Sequence, residues 1–179
     1  MSTIASDTIL PTFTDLNLDA FEQNLDSMLD AHLRNIDALL DHNSRFTWDN
    51  TMQVLESMDN ALEKHWSILS HLHAVINDAT LRECYQRSIA KLTAYETSVG
   101  HNEALYHAVK SIDTSGLNAT QQKIIGDFLQ AFELAGVALS AEDKQRFEAI
   151  SQELSELSSQ FENNLLDAND AFTHLVSNR

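Results

Sequence analysis

Ser140 to Phe172, SAEDKQRFEAISQELSELSSQFENNLLDANDAF, is the longest unbroken helical pattern in the chain. Phe147, Ile150, Leu154, Leu157, Phe161, Leu165, Ala168 and Phe172 follow one another at steps of three or four, so on a helix they form a single apolar stripe. The other positions are mostly charged or polar. Ser140 suits the start, because its hydroxyl accepts from an otherwise unpaired amide while Glu142 and Asp143 sit at the positive end of the helix dipole. At ~1.5 Å per residue the rod from Glu142 to Leu166 is roughly 37 Å long. A stripe that long is expected to be covered by other helices.

Composition supports a bundle. The 179 residues suffice for one domain with a sizeable core, and 43% of them are apolar. One Pro and four Gly leave few turn signals, so long helices with short joints follow. Lys and Arg number 11 against 27 Asp and Glu, a formal charge of −16. Such a surface repels phosphate backbones and anionic lipid, which excludes nucleic acid and membrane surfaces as expected partners. Cys84 has no second cysteine to pair with. No basic leader and no bilayer-length apolar run is present, so a reducing cytoplasm is the expected compartment.

Outward from the rod, residues 1–16 read as an extended arm in which Leu10, Pro11 and Phe13 dock on the body. Asn17 caps a first helix reaching His42, with Phe21, Leu25, Leu29, Ile36 and Leu39 at helical spacing. The short joint from Asn43 to Phe46 turns the chain back. Thr47 caps a second helix carrying Leu55, Leu62, Trp66, Leu69 and Ile76. Thr80 with Glu83 reads as a capping box for a third, running from Leu81 to Val99 with Tyr85, Ile89, Leu92 and Tyr95 inward and Gly100 as a left-handed stop. A shorter piece spans His101 to Ile112. Asp113-Thr114-Ser115-Gly116 is a turn, and Asn118 with Gln121 opens a fifth helix that stops at Gly136. The expected fold is all-α: an antiparallel bundle of five or six helices, with a helical domain over 17–170 and a tail over 171–179.

Eight histidines in an acidic chain invite a metal reading, and the spacings test it. A helical zinc-hydrolase site needs H-E-x-x-H, and bundle di-metal sites need Glu-x-x-His on two helices. Neither pattern occurs. His71 and His73 lie ~200° apart on a helix, which suits one core-edge and one surface ring. Glu103 with His107, and Asp170 with His174, are one turn apart if helical and read as surface pairs. Cys84 reads as a buried, inert thiol, and Trp48, Trp66, Tyr85, Tyr95 and Tyr106 as core packing rather than a ligand cage. The carboxylates read as a solvated surface. No catalytic, cofactor-binding or metal-ligating residue is assigned.

Taken in order, several stretches carry a likeness. Leu10-Pro11-Thr12-Phe13, Phe46-Thr47-Trp48-Asp49-Asn50, Ser70-His71-Leu72, Leu81-Arg82, Val99-Gly100, Phe132-Glu133-Leu134-Ala135-Gly136, Leu154-Ser155-Glu156-Leu157 and Asn163-Asn164 follow with family-like spacing. The chain resembles the N-terminal region of the bacterial oligopeptidase A branch of the thimet oligopeptidase family of zinc metallopeptidases. The resemblance implies two mostly helical lobes around a deep channel that admits short peptides. In that family the zinc ligands and general base come from H-E-x-x-H and a later Glu, and this sequence has none of those positions. What it implies here is a non-catalytic helical lobe, inactive alone, that forms part of one channel wall against a separate catalytic lobe. Phe172 stands where close relatives are expected to carry Trp. Arg179 falls within what reads as a continuing segment, so a fragment of a longer chain is expected, with apolar surface along Leu165 to Val176 left for the remainder to cover. Two other readings remain: a free-standing helical module that binds a partner helix, and a small enzyme or metal carrier using its histidines.

Overall fold

The computed structural model describes residues 13, 16–76 and 78–175. Among them lie six α-helices and no strand: α1 Leu18–His42, α2 Gln53–Val75, α3 Ala79–Gly100, α4 Glu103–Lys110, α5 Ala119–Leu134 and α6 Ala141–Ala171. The all-α expectation therefore holds. Most of the expected arm, with Leu10 and Pro11, lies outside the described residues, as does the tail beyond Leu175. Phe13 is described, with its ring centroid 5.1 Å from that of His71.

Asparagine and serine caps start the helices where their side-chain oxygens reach free amides. Asn17 accepts from Ala20 N at 2.9 Å, Asn102 from Leu105 N at 2.9 Å, and Ser140 from Asp143 N at 3.1 Å. Asn118 and Gln121 form a reciprocal box. Thr47 does the same with Asn50, but the turn it opens, Trp48–Met52, is a wide π turn that runs straight into α2. Asn50 also donates to Asn43 Oδ1 and Arg45 O, which ties down the joint between α1 and α2.

Two expected helix ends are corrected. Asp78, not Thr80, caps α3: its carboxylate accepts from Leu81 N at 2.8 Å. An Asp two residues earlier offers a charged acceptor at the dipole's positive end, and α3 begins before Thr80 can act. Gly100 is not a left-handed stop but the last residue of α3. There a Cβ would come 2.7 Å from Ala135 Cβ, so it is needed for close approach to the end of α5. Gly136 does adopt φ +82, with Val137 N donating to Phe132 O at 3.0 Å and Gly136 N to Glu133 O at 3.2 Å. That closes α5 in a Schellman turn.

Side-chain pairs fix the helix directions. Phe21 stacks on His65 while Asn43 meets Asn50, so α1 and α2 are antiparallel. Arg87–Glu22, Lys91–Asp26 and Tyr95–His32 step along α3 and α1 together, so these two are parallel. Phe21, Leu25 and Leu29 of α1 meet Leu62, Leu69 and Leu72 of α2 and Leu81, Cys84 and Leu92 of α3 in one core. A second core joins Ile36, Met52 and Leu55 to Leu105, Val109, Ile125 and Phe132. The buried row of α3 is Leu81, Cys84, Ser88 and Leu92 rather than the expected Tyr85, Ile89 and Tyr95, which are only half-buried.

The cover expected for the α6 stripe is also corrected. Antiparallel to α3, α6 buries Ser159 and Asn163 and half-buries Phe147, Gln152, Ser155 and Leu166. Ile150, Leu154, Leu157, Phe161, Leu165 and Phe172 are exposed, Phe161 at 69% and Phe172 at 77%. The cause lies in α3. Its apolar row already faces α1 and α2, so the side left for α6 offers Arg82, Gln86, Ala90 and Thr93, to which small and polar partners are matched.

Candidate functional surface

Two features are left exposed or concave by this packing. The first is the outer face of α6. Its apolar residues repeat at 11-residue intervals, Ile150, Phe161 and Phe172, then Leu154 and Leu165, then Leu157 and Ala168. An 11-residue repeat is about 3.67 residues per turn, close to the helix's own period, so the stripe stays on one side of a nearly straight rod. Leu175, 89% exposed, continues the apolar surface past the helix end.

Directional bonds hold the opposite face. Arg82 forms a two-point pair with Asp167 at 2.6 and 3.1 Å, and Gln152 Nε2 donates to Ala90 O at 3.2 Å. Thr93 Oγ1 donates to Ser155 Oγ at 3.1 Å. Lys144 reaches Glu103 at 2.6 Å and holds that carboxyl below the usual range. His73 is buried, stacked on Tyr85 with centroids 3.8 Å apart, and its Nε2 lies 3.1 Å from Asn163 Oδ1.

The second feature is a cleft of about 580 Å³ between α2, α3 and the end of α5. Glu56, Asp59 and Glu63 line it from α2 and Glu96 from α3, beside Trp66, Tyr95 and Phe132, with no Lys or Arg in the wall. Desolvation in the cleft, reinforced by Glu56, pushes Asp59 up to about 6. Glu96 is raised by desolvation and then by Glu63 and Asp59. Tyr95 lies below them, its hydroxyl 3.0 Å from His32 Nδ1, and burial pushes the phenol up. Four carboxylates gathered along one cleft concentrate negative potential there. These four side chains remain solvent-exposed, as expected for the chain's acidic residues, but they are gathered along one cleft. The grouping has a signal in the sequence, the i, i+3, i+7 spacing of Glu56, Asp59 and Glu63 leading to Trp66.

The remaining candidates do not assemble. His71 is exposed while His73 faces α6. Glu103 pairs with Lys144 across helices rather than with His107 alone. His174 lies past the end of α6, so the expected helical spacing to Asp170 is not realised. Cys84 is fully buried, and desolvation followed by the nearby Glu22 raises its thiol to about 11, which keeps it protonated. Among the described residues no three His, Cys, Asp or Glu side chains group as metal ligands, and no helix is long and apolar enough to cross a membrane.

Comparison with known proteins decides the assignment. The model of the neurolysin/thimet oligopeptidase N-terminal domain matches residues 22–144. The chain belongs to this family. It is 37% identical over 140 residues to oligopeptidase A of Salmonella typhimurium, covering 76% of this chain and 21% of that protein. Against the Escherichia coli oligopeptidase A the figures are 39% over 136 residues, 74% and 20%. Against that of Haemophilus influenzae they are 40% over 137, 74% and 20%. The chain thus spans about a fifth of the length of these relatives and corresponds to their N-terminal region.

Proposed function

We propose that this chain is the non-catalytic N-terminal lobe of a cytoplasmic zinc metallo-oligopeptidase that hydrolyses short peptides. Its helices form part of one wall of the substrate channel and limit substrate size, while a separate catalytic lobe supplies the chemistry. The observation that carries this reading is the match to oligopeptidase A along three-quarters of the chain, at the N-terminal fifth of that protein. Zinc is the metal the family implies. The donors present do not fit it: His71 and His73 point apart, Cys84 is buried and protonated, and Glu103 is paired with Lys144. Residues 17–170 act as one lobe in this reading, with 171–179 leading towards the remainder.

The test reads the gene beyond Arg179 and expresses the longer polypeptide. An H-E-x-x-H segment and chelator-sensitive cleavage of short peptides by the longer product, with no turnover by the 179-residue chain, are the expected results. Zinc-dependent turnover by the short chain, lost on replacing His71 and His73, contradicts the reading.

A further inference from the structure

We propose that the outer face of α6 seats an amphipathic helical protein surface whose apolar seam is flanked by Lys and Arg. The source of that helix rests on the reading above: it belongs to the larger part of the enzyme, the four-fifths of each relative that this chain does not match.

Three observations choose this occupant. From Ile150 to Phe172 the stripe runs about 33 Å at the helical rise, with a period that keeps it straight, so it fits one helix laid alongside rather than a globular knob. The opposite face of α6 is already bonded to α2 and α3, so α6 has a fixed orientation and its apolar side is permanently presented. The third is charge. At about 100° per residue Glu153 and Glu162 border the stripe on its two sides, while Asp167 is taken by Arg82 on the bonded face, and the chain as a whole has a formal charge of −16. A second copy would set two such acidic helices side by side. A basic-flanked helix instead gains complementary potential around a dry seam.

The 179-residue chain is titrated with two synthetic helices of 22 residues that share a leucine seam, one flanked by Lys and one by Glu. Anisotropy reads affinity, and hydrogen exchange reads the footprint. The Lys-flanked helix is expected to bind at least about tenfold tighter at low salt, with the preference shrinking in high salt and protection appearing on α6. Leu157→Glu with Phe161→Glu is expected to lose at least about tenfold in binding although it adds negative charge, since the seam is removed. Should the double variant lose helix content, Phe161→Ser reads the same contact alone.

Equal binding of the two helices overturns the proposal. So does a variant that binds as tightly as the parent, the result of charge attraction without a seam. Concentration-dependent dimers that disappear in the variant assign the face to a second copy, and variant-sensitive binding to neutral phosphatidylcholine vesicles assigns it to lipid. Peptide cleavage by the longer polypeptide is read separately. Cleavage with no Lys-helix preference refutes the docking surface alone, and the preference without cleavage refutes the peptidase reading that supplies the helix.

Discussion

Helices α3 and α6 lie against each other along most of their length, yet their apolar residues point in different directions. α3 turns Leu81, Cys84 and Leu92 towards α1 and α2 and leaves α6 a polar flank. α6 turns Ser159 and Asn163 inward and Ile150, Leu154, Leu157, Phe161 and Leu165 outward. Burial of apolar area drives the first arrangement, whereas geometry-dependent polar contacts index the second. The difference teaches that a periodic apolar stripe marks an interface without saying whether its partner is present.

Mutational cost is the sharpest way to break this comparison. Leu69, with no exposure, is expected to lose about 2–5 kcal/mol on replacement by alanine. Leu154→Ala, at a position 63% exposed, is expected to fall within ~0.5 kcal/mol of the parent. Urea unfolding measures both, and comparable losses would mean that α6 packs its stripe in solution.

A smaller effect is expected where α3 ends. Gly100→Ala sets a methyl against Ala135 and is expected to cost about 1–3 kcal/mol, most of it recovered when Ala135→Gly is added. Thermal melts of the four proteins test that coupling. Asn163→Ala removes the partner of the buried His73 and is expected to cost about 1–2 kcal/mol. Amide exchange should quicken in α6 while α1 stays protected. Equal loosening of both helices would show that the polar seam is not a separable contact.

The smallest effect concerns the cleft. Asp59, raised from 3.8 to about 6 in the folded chain, disfavours folding once ionised. Its contribution is most favourable below about pH 4 and is lost as pH rises through 6. Asp59→Asn is therefore expected to stabilise the chain at pH 7 and to leave it unchanged at pH 4. Carboxyl resonances followed by NMR should show Asp59 titrating near 6 and moving down in Glu56→Gln, whose repulsion adds to the desolvation.

Helix identity was legible because it depends on local rules. Asn17, Thr47, Asn118 and Ser140 cap as their side chains dictate, and Gly136 takes the left-handed conformation that ends α5. What lies across the chain was not. Gly100 reads as a turn residue until Ala135 is seen beside it, and Thr80 reads as a cap until Asp78 reaches Leu81 first. The direction of the α6 stripe was hidden for the same reason, since it depends on which flank of α3 remains after α1 and α2 have packed. The i, i+3, i+7 spacing puts Glu56, Asp59 and Glu63 on one side of α2, but it does not say that Glu96 and Phe132 form the wall opposite.

The seam under α6 also sets how far that helix can travel. Leucine contacts tolerate sliding, but Arg82–Asp167, Gln152–Ala90 and His73–Asn163 each demand one partner at one height. A shift by one helical turn, ~5.4 Å, would break all three together. α6 therefore behaves as a keyed shaft, and whatever rests on its far side is delivered at a fixed distance from the rest of the bundle.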